Sequence, residues 1–251
     1  MKKVLTVIAI IGSLTFKVTA ATSNLEKRKM DSQPLLFTQN KGQVADMNGN
    51  VQPSVLFTTH SKGVKLFLTK NGISYQFQRT NYPDGYNTSD KMKMRESELE
   101  KQIKTSTYRM DMELVGASIN PLIETESKNE YFENYYLAQC PNGILNVPTF
   151  SKIIYKEVYP KIDWIVYAKG NEMKYDFVVH PGGNPTDIKI AYKNASAVNL
   201  MNDGGIVATT TIGQIIDSKP ITIQNGEKVT SDFKFENGII TYKLGQYDKQ
   251  R

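Results

Sequence analysis

Val158-Tyr-Pro-Lys-Ile-Asp-Trp-Ile-Val-Tyr-Ala-Lys-Gly-Asn-Glu-Met-Lys-Tyr-Asp-Phe-Val-Val-His-Pro-Gly182 decides the fold. Two runs rich in β-branched and aromatic residues flank Gly170-Asn171, and Pro181-Gly182 closes the second run, the signature of a β-hairpin ended by a turn. With a two-residue loop at Gly170-Asn171, Lys169 pairs with Glu172, and Trp164, Val166, Met173, Tyr175, Phe177 and Val179 share one face. That face belongs in a core. The other face carries Asp163, Ile165, Tyr167, Lys174, Asp176 and Val178, too apolar for open water and too charged for plain interior.

The rest of the chain repeats this grammar. Strands are predicted at Val55 to Thr58, Val64 to Thr69 and Ile73 to Gln78, the last two joined at Lys70-Asn71-Gly72, where Asn-Gly suits the positive φ of a tight hairpin. Alternation returns from Thr107 with Tyr108, Met110, Met112 and Leu114 on one side and Arg109, Asp111 and Glu113 on the other. Gly116 to Lys128 reads as a loop around Pro121, Tyr131 to Leu137 as an aromatic peak whose density favours core, and Phe150 to Tyr155 as a strand. Seven short strands follow: Ile188 to Tyr192, Ala197 to Met201, Gly205 to Thr210, Gln214 to Ser218, Ile221 to Gln224, Val229 to Phe235 and Ile239 to Leu244. The expected fold is all-β, an antiparallel β-sandwich or two packed β subdomains divided near residue 105. One short helix, capped at Ser89-Asp90 and running to about Lys104, lies in an insertion.

At the N-terminus, Lys2-Lys3 precede the apolar run Val4 to Phe16, and Val18-Thr19-Ala20 supplies small residues for cleavage before Ala21. Residues 1–20 are thus expected to be a signal peptide, 21–33 a flexible tail and 34–251 a β-rich domain. The apolar run is short for a bilayer span, so no integral span is expected after cleavage. Lys2, Lys3 and Lys17 leave with the leader and reduce the net charge from +6 to +3, too weak and too interspersed for nucleic acid. Cys140 is the only cysteine, so no internal disulfide forms, and Pro141-Asn142-Gly143 after it suggests a small packed side chain beside a turn.

Chemistry-bearing motifs are sparse. There is no Gly-rich phosphate loop, zinc spacing or nucleophile elbow; the two histidines, His60 and His180, are far apart in sequence, and no metal or cofactor is expected. Gln39-Asn40-Lys41-Gly42-Gln43 reads as a turn held by side-chain amides, and Asp46 to Asn50 as a turn rather than a calcium loop. The catalytic candidates are Asp163 and Asp176, diagonal neighbours on one hairpin face with backbones on the order of 7–8 Å apart. Two such acids could divide acid and base roles in glycoside cleavage or share a divalent cation; Lys174 and Tyr167 beside them point instead to a satisfied structural network.

An ordered series of short motifs carries a family likeness: Asn40-Lys41-Gly42-Gln43, Val115-Gly116-Ala117, Asn134-Tyr135-Tyr136, Val158 to Asp163, Lys174 to Val179, Pro181-Gly182-Gly183-Asn184-Pro185, Thr211-Ile212-Gly213-Gln214 and Tyr247-Asp248. Together they resemble the uncharacterised N-terminal domain of bacterial SBBP-repeat and gliding-motility-associated surface proteins. The resemblance implies an exported, non-catalytic module of a cell-surface, adhesin-like protein, located in the periplasm, on the outer-membrane surface or outside the cell. It carries over no catalytic or ligand residues. Lys161 stands where that family favours Gly, and Asn184 where it favours Ala-Asp. The chain stops at Arg251, where family members continue through a further strand, so an open sheet edge and association with another strand are expected. Expected partners are envelope or extracellular proteins or glycans; the alternatives are a secreted hydrolase using Asp163 and Asp176, or a truncated remnant.

Overall fold

The computed structural model describes residues 8–18, 35–61, 63–81 and 103–249. In chain order the strands are β1 (Ile8–Val18), β2 (Phe37–Gln39), β3 (Val55–Ser61), β4 (Val64–Thr69), β5 (Gly72–Asn81), β6 (Lys104–Leu114), β7 (Leu122–Leu137), β8 (Cys140–Tyr159) and β9 (Ile162–Lys169). They continue with β10 (Glu172–Val179), β11 (Ile190–Lys193), β12 (Ala197–Leu200), β13 (Ile206–Thr209), β14 (Gly213–Asp217), β15 (Ile221–Gln224), β16 (Glu227–Val229), β17 (Ser231–Glu236) and β18 (Ile239–Leu244). Among the described residues the one 3-10 turn, Pro185–Asp187, is capped by the Asn184 side chain. The fold is all-β, with a large antiparallel sheet and a small second one, and no closed barrel. Among the described residues no helix is long and apolar enough to cross a membrane.

Antiparallel ladders run β16–β15–β1–β10–β9–β8, and again β2–β3–β4–β5–β6–β11–β18–β17. Strand β8 joins the two: Lys152 to Tyr159 pair with β9, Thr149 and Phe150 pair with β2, and β7 runs along the other edge. The small sheet is β12–β13–β14, extended by the second half of β1.

The 158–182 hairpin folds in the predicted register. Lys169 faces Glu172 and Trp164 faces Phe177. Gly170 takes a φ of 65°, the positive value that a two-residue turn needs at its first central position. Trp164, Val166, Met173, Tyr175, Phe177 and Val179 are all buried, and the opposite face is half-buried except for Asp163, which is sealed. Phe177 meets Trp164, Tyr175 and Tyr242 with ring centroids 6.4, 5.7 and 6.1 Å away, so the first ladder packs on β18 of the second.

Several expectations change. Asn71 and Gly72 do not take positive φ; a Cβ on Gly72 would lie 2.0 Å from the Met112 carbonyl oxygen, so this glycine serves the close approach of β6. The loop predicted over Gly116 to Lys128 ends early, because β7 already starts at Leu122. The strand predicted over Val229 to Phe235 divides at Thr230, where the chain leaves β15 for β18. Cys140 is half-exposed near a hairpin tip rather than packed, and the turn beside it is Ala138-Gln139, with Pro141 to Gly143 forming a bulge. Residues Ile8–Val18 of the expected leader form a strand: their β-branched, apolar character suits a sheet as well as a signal sequence. The expected tail over 21–33 and the helix from Ser89 lie outside the described residues, apart from Ile103 and Lys104 at the helix's expected end; Lys104 instead opens β6. The candidate boundary near 105 falls within the β5–β6 hairpin, whose pairing runs to Asn81 and Lys104.

The turn joining β8 to β9 holds one strained residue. Tyr159 pairs with Ile162, Pro160 occupies the first turn position, and Lys161 takes a φ of 60° at the second, where glycine is favoured. A left-handed L-residue costs about 1 kcal/mol or more, part of which glycine's greater unfolded-state freedom offsets. Lys161→Gly should therefore raise stability by about 0.5–1 kcal/mol, seen as a higher urea midpoint at unchanged slope; a lower midpoint refutes this account of the turn.

Candidate functional site

The carboxylate candidates share one face of the β9–β10 hairpin, as predicted: Asp163 faces Val178 and Asp176 faces Ile165, which makes them diagonal neighbours. Their surroundings differ. Asp163 is 3% exposed and accepts hydrogen bonds from the Lys156 ammonium and, at 2.9 Å, from the Glu157 backbone N–H; His180 Nε2 lies 3.0 Å from its Oδ2. Burial works to raise its proton affinity, but these donors together hold the carboxyl below its usual range. Glu157 has a φ of 48°, so Asp163 ties down a left-handed kink in β8. Asp176 accepts from the Tyr167 hydroxyl at 3.2 Å, and burial pushes its carboxyl up to about 6 against the pull of Tyr167, Lys152 and Lys174. One acid is thus a charged structural anchor and the other a half-buried neighbour of a tyrosine. His60 lies elsewhere, opposite Lys65 on β4.

The N-terminal turn behaves as its amides suggest. Asn40 Nδ2 donates to the carbonyls of Gln52 and Val55 at 3.0 and 2.8 Å, and its Oδ1 accepts from the N–H of Gly42 at 3.0 Å and of Val44 at 3.3 Å. Gln43 accepts from the Lys41 N–H at 2.7 Å and donates to the Gln39 carbonyl at 2.6 Å. Asp46 Oδ1 accepts from the N–H groups of Asn48 and Asn50, both at 2.9 Å, as a turn rather than a cation loop. Among the described residues there is no group of three or more His, Cys, Asp or Glu side chains able to hold a metal ion.

The aromatic peak lies at the surface, contrary to the core expectation. Strands β7 and β8 pair along an arm in which Tyr131 is 57% exposed, Phe132 50% and Tyr136 75%. Three irregularities in the ladder shape the arm. Lys128 faces Phe150 while Phe132 faces Pro148, so β7 holds two extra residues; next, Glu133 faces Val147 while Tyr135 faces Ile144, so β8 holds one; outermost, Tyr135 faces Ile144 while Leu137 faces Cys140, so β8 holds two. Such bulges re-aim side chains and increase local twist. The second is fastened by Asn134 Oδ1 accepting from the Asn146 N–H at 2.8 Å, and the first by Thr149 Oγ1 donating to the Tyr131 carbonyl at 2.7 Å and by Asn129 Oδ1 accepting from the Tyr131 N–H at 2.9 Å. Beside it lies an open cleft of about 470 Å³ whose walls include Tyr131, Phe132, Asn129, Glu130, Asn146 and Pro148. At the outermost bulge a Cβ on Gly143 would meet the Tyr136 ring at 3.1 Å, so the glycine lets that ring lie against the backbone.

A profile of a domain of unknown function, DUF7948, matches residues 37–251. The chain belongs to the DUF7948 family. Neither a curated protein nor a solved structure matches it.

Sequence reasoning missed one buried group of this DUF7948 domain. Asp217 on β14 is fully enclosed, accepts a hydrogen bond from the Tyr175 hydroxyl through Oδ2, and has no partner at Oδ1 among the described residues. Tyr75, Tyr192 and Tyr242 are buried close enough to feel its charge, and burial raises all of these phenols. Burial also pushes the Asp217 carboxyl from 3.8 up to about 7, with the Tyr175 hydrogen bond acting in the opposite direction. An acid whose folded-state pKa is raised holds its proton more tightly when folded. Its effect is absent below 3.8, and stability is lost as pH rises from there through about 7. Asp163, shifted down, acts oppositely: its contribution is present above the unfolded value and fades on acidification. Asp217→Asn should match the parent near pH 4 and exceed it near pH 8 by roughly 2–4 kcal/mol in urea melts. Parallel pH–stability curves refute this.

Proposed function

We propose that this DUF7948 domain is an exported, non-catalytic binding module of an adhesin-like surface protein, and that the β7–β8 arm engages its partner. The carrying observation is the exposure of Tyr131, Phe132 and Tyr136 on a bulged hairpin beside an open cleft. Large exposed aromatics grouped among polar side chains are unusual on a surface without a partner. The mixture suits a glycan. Ring faces offer stacking area for a sugar, and the Asn129 amide, the Glu130 carboxylate and the Asn146 amide supply donors and acceptors for hydroxyls. The non-catalytic character is supported by Asp163, whose oxygens are engaged by Lys156, the Glu157 N–H and His180 and whose burial leaves no room for a substrate oxygen. Export is supported by the leader-like Lys2-Lys3, Val4 to Phe16 and Val18-Thr19-Ala20 series, and the surface setting by the ordered motifs that resemble the SBBP-repeat and gliding-associated proteins.

The test is binding of the whole chain to immobilised glycans and to isolated envelope fractions. Tyr131→Ala and Tyr136→Ala should each weaken binding roughly two- to tenfold while leaving the melting temperature unchanged, because neither ring contributes to the core. No binding in either set, or binding indifferent to both substitutions, overturns the proposal.

A further inference from the structure

Strand β1 occupies an unusual place for residues that read as a leader. Its first half lies between β10 and β15 and is antiparallel to both: Ile8 to Ser13 pair with Val179 to Lys174, and Ile8 to Ile11 pair with Gln224 to Ile221. Its second half turns to the small sheet, where Leu14 to Val18 pair with Asp217 to Gly213. Ile10 is completely buried in the common core, level with Phe177 on one neighbour and Thr222 on the other. Among the described residues β15 has no ladder partner except β1 and β16, so β1 alone ties that hairpin into the large sheet.

Removal of residues 1–20 would open a slot one strand wide. The facing edges of β10 and β15 would each present a row of unpaired N–H and C=O groups about 10 Å apart, twice the strand spacing. An intervening strand satisfies both rows at once, and unpaired backbone in a packed interior is costly. The residues that follow the cleavage point fit poorly. Ala21 to Pro34 includes Glu26, Lys27, Arg28, Lys29 and Asp31, and so lacks the apolar alternation that the buried Ile10 position demands.

We infer that the β10–β15 slot is an acceptor for an extended apolar strand donated by another polypeptide, with residues 8–18 showing the chemistry of the donor. This inference rests on the export reading, since it requires the leader to be removed. The donor is a segment of about ten residues with an aliphatic side chain at the Ile10 position and a small residue opposite Tyr175, where Gly12 now lies. Backbone ladders on both sides supply affinity, and the Ile10 pocket supplies selectivity.

The experiment starts from the full chain, folded with a specific protease site placed between Ala21 and Gln33, and then cut. The released N-terminal fragment should co-elute with the body. It should exchange with a fluorescent peptide of residues 4–18, and the same peptide carrying Ile10→Asp should bind at least a hundredfold more weakly. A fragment that falls away from a body with no preference between the two peptides overturns the proposal. A stripped body that dimerises and ignores peptide overturns it in favour of a second copy of this chain. The N-terminus of the protein recovered from producing cells separates the two readings. A start at Ala21 with peptide binding supports both, a start at Ala21 without peptide binding defeats the slot alone, and retention of Met1 defeats export and the donor in trans together.

Discussion

Phe177 is the contact on which the two ladders depend. Its ring touches Trp164 across the hairpin, Tyr175 on its own strand and Tyr242 on β18, so one side chain fixes the hairpin's register, its facing and the layer it packs against. The register follows from the two-residue turn at Gly170-Asn171, because a slip of one residue would put Trp164 and Phe177 on opposite faces and turn one strand's apolar set out of the core. Burying each such aromatic contributes about 1.5–3 kcal/mol, so the wrong register forfeits several of these at once. Turn chemistry and core composition therefore select the same arrangement.

That agreement explains what could be read without a structure. Where a strand has one wet and one dry face, alternation reports burial directly: β4 alternates buried and half-buried along Val64–Thr69, and β10 does so along Glu172–Val179. The signal fails where burial stops following the pleat. Leu122–Leu137 of β7 is exposed almost throughout, because among the described residues it pairs only with β8 and little beyond Ile123 packs against the core. Its strand period carried no information, and its aromatics looked like interior residues for want of any cue that both faces were wet. The division at Thr230 was invisible for another reason: a change of ladder partner leaves the local pattern of Val229 to Phe235 intact. At the catalytic candidates, the shared face of Asp163 and Asp176 was legible from the loop length. The binding of Asp163 by Lys156 was not, since it depends on a left-handed kink at Glu157 in the neighbouring strand.

The enclosed carboxyl of Asp217 shows a second constraint. Tyr75, Tyr175, Tyr192 and Tyr242 bring hydroxyl groups into the interior, and among the described residues the Tyr192 oxygen has no partner. An apolar set of the same volume would avoid that desolvation. What the polar set adds is direction: the Tyr175 hydroxyl reaches Asp217 only when β10 of the large sheet and β14 of the small sheet are both in register with β1, which pairs with each of them. The contact therefore discriminates between correct and slipped sheets more sharply than apolar packing, which tolerates shifts.

On the export reading proposed above, the residues of β1 have two competing uses, and chain order decides between them. A translocation leader must be exposed and its chain unfolded, whereas in β1 as a strand Ile10 is wholly buried. The same β-branched apolar composition serves both, so composition cannot arbitrate. Distance along the chain can. Ile8 pairs with Val179 and Gln224, so its slot does not exist until most of the polypeptide has been made and the β9–β10 and β15–β16 hairpins have formed. On that reading the run Val4 to Phe16 is free during synthesis to be recognised first, and its capture in its own sheet is left to a chain from which it has not been cleaved. A short-range pairing would hide such a leader at once; pairing Ile8 with Val179 and Gln224 leaves it free until those strands exist.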